Sequence, residues 1–183
     1  MKRVLVDADA FLCLRKLSLR SGKSLLDLIC GSPARSSPLL LTDYIARREL
    51  NSISTEVDRL KQDGAVAVHA VGARDTTFRM LKVEVDIGEA EALAWALRQT
   101  ADDRPVFVSN DGPARRAGKQ HRVPCTDVMG LVVLCVESGV LTYEQAAEAL
   151  EVWSDKAQEL CRPKDFDGFE STYRRRLHRP DYL

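Results

Sequence analysis

Acidic side chains follow two short apolar segments of this 183-residue chain. Asp7 closes the β-branched run at residues 3–7, and Asp9 stands two residues later. Asp111 comes just after a second apolar run at residues 105–109. Such runs predict buried strands, and the carboxyl ends of parallel strands meet at one edge of a sheet. Magnesium and manganese prefer oxygen ligands, so the pattern predicts a divalent cation site.

Each acid taken alone also fits a structural role. Asp7 and Asp111 stand where helix N-caps and turns favour aspartate. Glu49 fits a solvated helix position, while Glu89 and Glu91 fit the acid-rich first turn of a helix. The metal-binding interpretation therefore depends on the combination of acids.

Strand and helix patterns alternate around these acids. Their alternation predicts an α/β fold, a three-layer α/β/α arrangement around a central, mostly parallel sheet of four to five strands. The strands are predicted at residues 3–7, 38–42, 65–71, 105–109 and around Val123. The helices are predicted at residues 10–19, 42–50, 52–62, 88–100, 113–120, 126–138 and 142–153.

Residues 1–160 are predicted to form one domain, and residues 161–183 a polar tail that packs loosely or docks on a partner. The run Arg174–Arg176 fits a solvated or partner-binding tail better than an RNA contact. The 27 basic and 27 acidic residues cancel, so any contact with nucleic acid must be local. Five cysteines without a paired CxxC spacing predict reduced thiols. With no apolar run of membrane-spanning length, we expect a cytoplasmic protein without a membrane partner.

Four segments in order resemble the motifs of the PIN domain family of ribonucleases, over roughly residues 3–142. The segments and the side chains they contribute are VLVDADAFL with Asp7, LTDYIARREL with Glu49, IGEAEALAWAL with Glu91, and VFVSNDGPARRAG with Ser109 and Asp111. The stretch that follows, VPCTDVMGLVVLCVESGVLT, resembles VapC-like members whose third motif is Gly-Glu-x-Glu.

The resemblance implies RNA cleavage that depends on Mg²⁺ or Mn²⁺. It implies that Asp7, Glu49, Glu91 and Asp111 hold one or two cations, and that Ser109 orients a ligand or contacts phosphate. A metal would lower the pKa of water and offset charge in the transition state.

Three choices accompany this assignment. Glu89 and Glu91 point about 200° apart on a helix, so they cannot share one face. Glu91 matches the third motif better, which makes Glu89 a cap or a water-mediated ligand. Asp9 is an additional ligand or a local hydrogen-bonding residue. Arg115 and Arg116 are candidate phosphate contacts, or else part of a solvated helix face.

Partners follow from the same resemblance. Small single-domain members resemble toxins of toxin–antitoxin pairs, which implies an RNA substrate, a protein antitoxin and a homodimer.

Two alternatives stay open. In a haloacid dehalogenase-like phosphatase Asp7 would be the nucleophile, although Phe11 replaces the expected Thr or Val and no acid pair follows Lys119. In a non-catalytic PIN-like binding module the acids would be structural.

Overall fold

The computed structural model describes residues 2–155 and 161–177. These residues contain a five-stranded sheet in the order β3-β2-β1-β4-β5, with all neighbours parallel. The strands are β1 (Val4–Val6), β2 (Leu39–Thr42), β3 (Val66–His69), β4 (Val106–Val108) and β5 (Cys125–Thr126). The parallel sheet flanked by helices confirms the predicted three-layer α/β/α class.

Helices connect the strands and cover the sheet. They are α1 (Ala8–Lys16), α2 (Leu25–Gly31), α3 (Ser54–Gln62), α4 (Thr76–Leu81), α5 (Ile87–Leu97), α6 (Gly112–Gln120), α7 (Val128–Glu137), α8 (Tyr143–Asp155) and α9 (Phe169–Leu177). Helix α5 contacts β2, β1 and β4, because its Ala-rich surface lets it lie close to the sheet. Most of its residues are therefore buried, including Glu91.

The central strands β1 and β4 set the position of the functional edge. Val4 pairs with Val106 and Val6 with Val108, and all residues of both strands are buried. The Asp7 amide then donates to the Val108 carbonyl at 3.0 Å. In this register Asp7 and the residue after Val108 leave the sheet side by side.

Three local elements differ from the sequence prediction. Helix α1 begins at Ala8, two residues early, because Asp7 caps it. The predicted helix at residues 42–50 is a π-helical turn, Ile45–Glu49, closed by a hydrogen bond from the Leu50 amide to the Ile45 carbonyl. The last strand lies at Cys125–Thr126 and not at Val123, whose amide instead bonds the Gly118 carbonyl and ends α6.

The described part of the tail is not loosely packed, which corrects the expectation. Phe169 and Tyr173 of α9 pack their rings against Tyr143 of α8. Arg176 is 4% exposed. The spacing of Phe169 and Tyr173 puts both rings on one face of α9 and makes the helix amphipathic. This pattern is hard to recognise in the sequence because most of the neighbouring residues are charged or polar. Residues 156–160 and 178–183 lie outside the described residues, so the predicted boundary at residue 160 stays a prediction.

The cysteines and helices leave the expected redox state and the expected lack of a membrane partner as predictions. All five cysteines are free, and Cys13, Cys125 and Cys135 are buried. Within residues 2–155 and 161–177, no helix combines the length and apolar character needed to cross a bilayer.

Candidate active site

Asp7 is a buried carboxylate at the carboxyl end of β1. It is only 5% exposed, and its Oδ1 accepts a hydrogen bond from the Ala10 amide at 2.6 Å as the N-cap of α1. Burial raises its pKa to about 7, and the nearby charges of Asp9 and Glu49 act in the same direction. Hydrogen bonds from Ser109 and Ala10 oppose the rise without cancelling it. Asp7 therefore takes up a proton near neutral pH unless positive charge is supplied.

Ser109 joins the two aspartates that end β1 and β4. Its hydroxyl donates to the Asp7 carboxylate and accepts the Asp111 amide at 3.0 Å. Asp111 in turn caps α6, with Oδ1 accepting from the Ala114 amide at 2.7 Å. Because one fully buried side chain touches both segments, Asp7 and Asp111 lie at the same point of the sheet edge.

Glu49 approaches this edge from the π-helical turn. A Cβ atom placed on Gly88 would lie 2.3 Å from Glu49 Oε1, so the carboxylate packs over the first turn of α5. Partial burial raises the pKa of Glu49, and repulsion from Asp9 and Asp86 adds to the rise. π-Helical turns concentrate at functional sites, because they change where the following side chain points.

Glu89 and Glu91 face different parts of the molecule. Partial burial raises the pKa of Glu89 to about 7, with repulsion from Asp111 and then Asp7 as the next causes. Its Oε2 also accepts the Asp86 amide at 3.3 Å.

The Glu91 carboxylate instead accepts hydrogen bonds from backbone amides. It accepts the Tyr44 amide at 2.8 Å and the Val71 amide at 3.3 Å. Tyr44 and Val71 follow β2 and β3, so Glu91 ties α5 to the ends of two strands. Glu91 is still close enough to Glu49 to help raise the Glu49 pKa.

Asp9 adds charge to the cluster without being buried in it. Its carboxylate is exposed in the first turn of α1 and repels both Asp7 and Glu49. Asp7 is repelled by Asp9 and Glu49, and Glu89 by Asp111 and Asp7, so these predicted acids lie around one end of the sheet, with Glu91 beside Glu49.

The donor set fits hard divalent cations. Its oxygens are carboxylate oxygens, and the pKa values of Asp7, Glu49 and Glu89 are raised by burial and mutual repulsion that a cation would offset. In the described part of the chain, no three His, Cys, Asp or Glu side chains stand close enough to hold an ion as they are. Loading would therefore require side-chain rotations, which the exposed Glu49, Asp9 and Asp111 carboxylates permit.

The two predicted arginines differ in their surroundings. Arg115 donates from Nη1 to the Ser109 carbonyl at 2.6 Å, so part of its guanidinium supports the end of β4. Arg116 is exposed, and its Nη1 lies 3.4 Å from the position a Cβ on Gly112 would occupy. Arg116 is therefore available at the surface beside Asp111.

Two features of this edge escaped the sequence interpretation. Gly88 has no side chain, and the Glu49 carboxylate fills the space that a Cβ atom would occupy. In the sequence, only the glycine directly before Glu89 marks this feature. Asp127 follows β5, caps α7 and pairs with Arg176 of α9. No local pattern marks that pair, because 49 residues separate its members.

A family model for the PIN domain matches residues 39–163. Comparison with curated proteins and with solved structures gave no match. The match does not distinguish the VapC-like, Gly-Glu-x-Glu subgroup, which stays a prediction.

Proposed function

The chain belongs to the PIN domain family, whose members are generally nucleases, and on this premise we propose that it is a metal-dependent endoribonuclease. The observation that carries the proposal is the Ser109 bridge between Asp7 and Asp111, with Glu89 repelled by both aspartates. A haloacid dehalogenase-like phosphatase would have no use for acids from the π-helical turn and α5 beside Asp7, and the family match does not support it.

We assign the metal ligands as Asp7, Asp111, Glu49 and Glu89, with Asp9 contributing charge. Glu89 replaces Glu91, which the sequence favoured as the ligand, because both Glu91 oxygens accept backbone amides while Glu89 is repelled by the two aspartates. Glu91 is then a positioning residue that holds the ends of β2 and β3. Mg²⁺ or Mn²⁺ in such a site lowers the pKa of water and offsets negative charge on the phosphate. Ser109 keeps the Asp7 and Asp111 carboxylates oriented, and the deep burial of Asp7 strengthens its electrostatic interactions.

The test is cleavage of end-labelled RNA by purified protein. Structured and unstructured RNAs are incubated with Mn²⁺, with Mg²⁺ or with a chelator, using wild type and Asp7→Asn. We expect metal-dependent cleavage that Asp7→Asn reduces at least about 100-fold, since a ligand carboxylate is lost. Asp102→Asn, at an exposed turn outside the site, is the matched control and should cleave like wild type.

The same experiment separates the ligand assignment from the activity. Glu89→Gln and Glu91→Gln are compared for Mn²⁺ affinity by isothermal titration and for thermal stability. The assignment expects Glu89→Gln to weaken Mn²⁺ binding with little loss of stability, and Glu91→Gln mainly to destabilise the fold. Wild type that neither cleaves RNA nor binds Mn²⁺ would reject the nuclease and favour the binding module.

The finer biological role is part of the proposal. A toxin restrained by a protein antitoxin, a homodimer and a cytoplasmic location fit a small nuclease of this family. Each requires its own measurement, beginning with the mass of the purified protein in solution.

A further inference from the structure

A cleft of about 560 Å³ opens directly beside Asp111. One wall is the start of α6, where Gly112 and Arg116 line the cleft together with Asn110. A second wall is the segment Cys161–Asp165, at the end of the matched family region and just beyond it. The cleft therefore joins the acidic edge to a part of the chain that the metal site does not use.

The second wall is held in place by several contacts. Arg162 donates from Nε to the Trp153 carbonyl at 2.7 Å and from Nη2 to the Phe166 carbonyl at 2.9 Å. The Trp153 and Phe166 rings pack edge to face, with centroids 5.3 Å apart. The segment is thus anchored to the core through α8, and the cleft is a built feature of the fold.

The charges in the cleft favour a polyanion. Its cationic side chains are Arg115, Arg116, Arg162 and Lys164, and its acids are Asp127 and Asp165. Arg176 of α9 pairs with both acids, at 2.8 Å for Asp165. Arg176 offsets one of these two negative charges, so the four cations of the cleft outweigh its acids, and Arg116 and Lys164 are exposed. In a chain of zero net charge, this is a local concentration of positive charge beside the acids.

We propose that this cleft binds the phosphate backbone of single-stranded RNA on the Asp111 side of the scissile bond, with Arg116 and Lys164 as the principal phosphate contacts. The proposal rests on the ribonuclease function proposed above. Among the residues that line the cleft no aromatic side chain occurs, so base stacking does not contribute there. Recognition on this side should consequently depend on charge and not on base identity.

The test combines RNA binding with cleavage. Binding of a fluorescein-labelled, unstructured RNA is followed by anisotropy in chelator at several salt concentrations, and cleavage is followed in Mn²⁺. The cleft variant is Arg116→Ala/Lys164→Ala. The matched control is Arg79→Ala/Lys16→Ala, which removes one exposed arginine and one exposed lysine from outside the cleft.

The cleft variant should bind about 10-fold more weakly at low salt, and the slope of log affinity against log salt should fall by about 1.4, or 0.7 per phosphate contact. Its KM should rise with little change in kcat, and Arg116→Lys/Lys164→Arg should restore binding. The control should stay within about 2-fold of wild type.

The outcomes separate the cleft from the proposed function. Wild type that cleaves RNA, together with a cleft variant that binds like the control, would overturn the cleft assignment and leave the nuclease intact. Wild type that neither binds nor cleaves RNA would overturn both. An equal loss in cleft and control variants would show that binding is non-local, which also contradicts the cleft.

Discussion

Replacing Asp7 with Asn should stabilise the metal-free protein at neutral pH. The pKa of Asp7 rises from 3.8 to about 7 on folding, mainly because the carboxylate is buried. The folded state therefore binds a proton more tightly than the unfolded state, and stability falls as pH rises between these two values. Asparagine is an equally good N-cap, so it keeps the bond from the Ala10 amide while removing the charge.

The magnitude follows from the difference between the two pKa values. Each pH unit is worth about 1.4 kcal/mol, so the buried charge costs at most about 4 kcal/mol at pH 7 and above. We expect Asp7→Asn to gain about 1–4 kcal/mol at pH 8, and about 1.7 kcal/mol or less at pH 5, where the native carboxyl is protonated and only the unfolded one ionises. The gain should therefore increase with pH and level off above pH 7.

Urea unfolding in chelator measures this directly, with the fluorescence of the buried Trp95 and Trp153 as the signal. Mn²⁺ at about 1,000 times its Kd or above should cancel or reverse the order, because it adds about 4.1 kcal/mol or more to the protein that binds it. Asp102→Asn should show neither the pH dependence nor the reversal. An Asp7→Asn variant less stable than wild type at pH 8 in chelator would refute the reasoning about burial.

Three further substitutions test separate contacts of the site. Gly88→Ala should keep the fold, with a change in unfolding free energy within about 1 kcal/mol, but its methyl group displaces the Glu49 carboxylate. Mn²⁺ affinity measured by titration should therefore fall as it does in Glu49→Gln, and an unchanged affinity would contradict the packing of Glu49 over Gly88. Ser109→Ala removes a hydrogen bond that lowers the Asp7 pKa. The acidic limb of the pH–rate profile should therefore shift to higher pH by about one unit, and a shift to lower pH would contradict this role of Ser109. Arg176→Met leaves the Asp127 carboxylate, only 13% exposed, without that partner. Urea unfolding should show that the free energy of unfolding falls by about 3 kcal/mol and is partly restored when Asp127→Asn is added. Strict additivity of the two changes would argue against the ion pair.

The central part of the fold and site was predictable because local patterns encode it. The apolar runs that become β1 and β4 each end in an acidic segment, and parallel strands in one register bring those segments together. The π-helical turn was not predictable, since its signal is the packing of Glu49 over Gly88. Spacing alone showed that Glu89 and Glu91 diverge. Which of them faces the aspartates depends on how α5 lies against β2 and β3.

The packing of the C-terminal segment, in contrast, could not be predicted from the sequence. Its composition is polar, and the run Arg174–Arg176 predicts a solvated or partner-binding tail. In the structure Arg174 pairs with Glu170, Arg175 with Asp167, and Arg176 is buried against Asp127 and Asp165. Three adjacent arginines thus have three different environments, because successive side chains on a helix point in different directions. Composition cannot distinguish these environments when the partners lie up to 49 residues away.

The neutral net charge of the chain has a consequence for how it would capture RNA. Long-range attraction is weak, and the carboxylates around Asp7 repel phosphate until a cation is bound. The cations of the cleft beside Asp111 lie just outside this repulsive region. A strand would therefore be held first through the cleft, and a cation held by Asp7, Asp111, Glu49 and Glu89 would offset the repulsion between these acids and the adjoining phosphate. Binding without metal should accordingly depend on Arg116 and Lys164, whereas the extra affinity gained with Mn²⁺ should depend on Asp7.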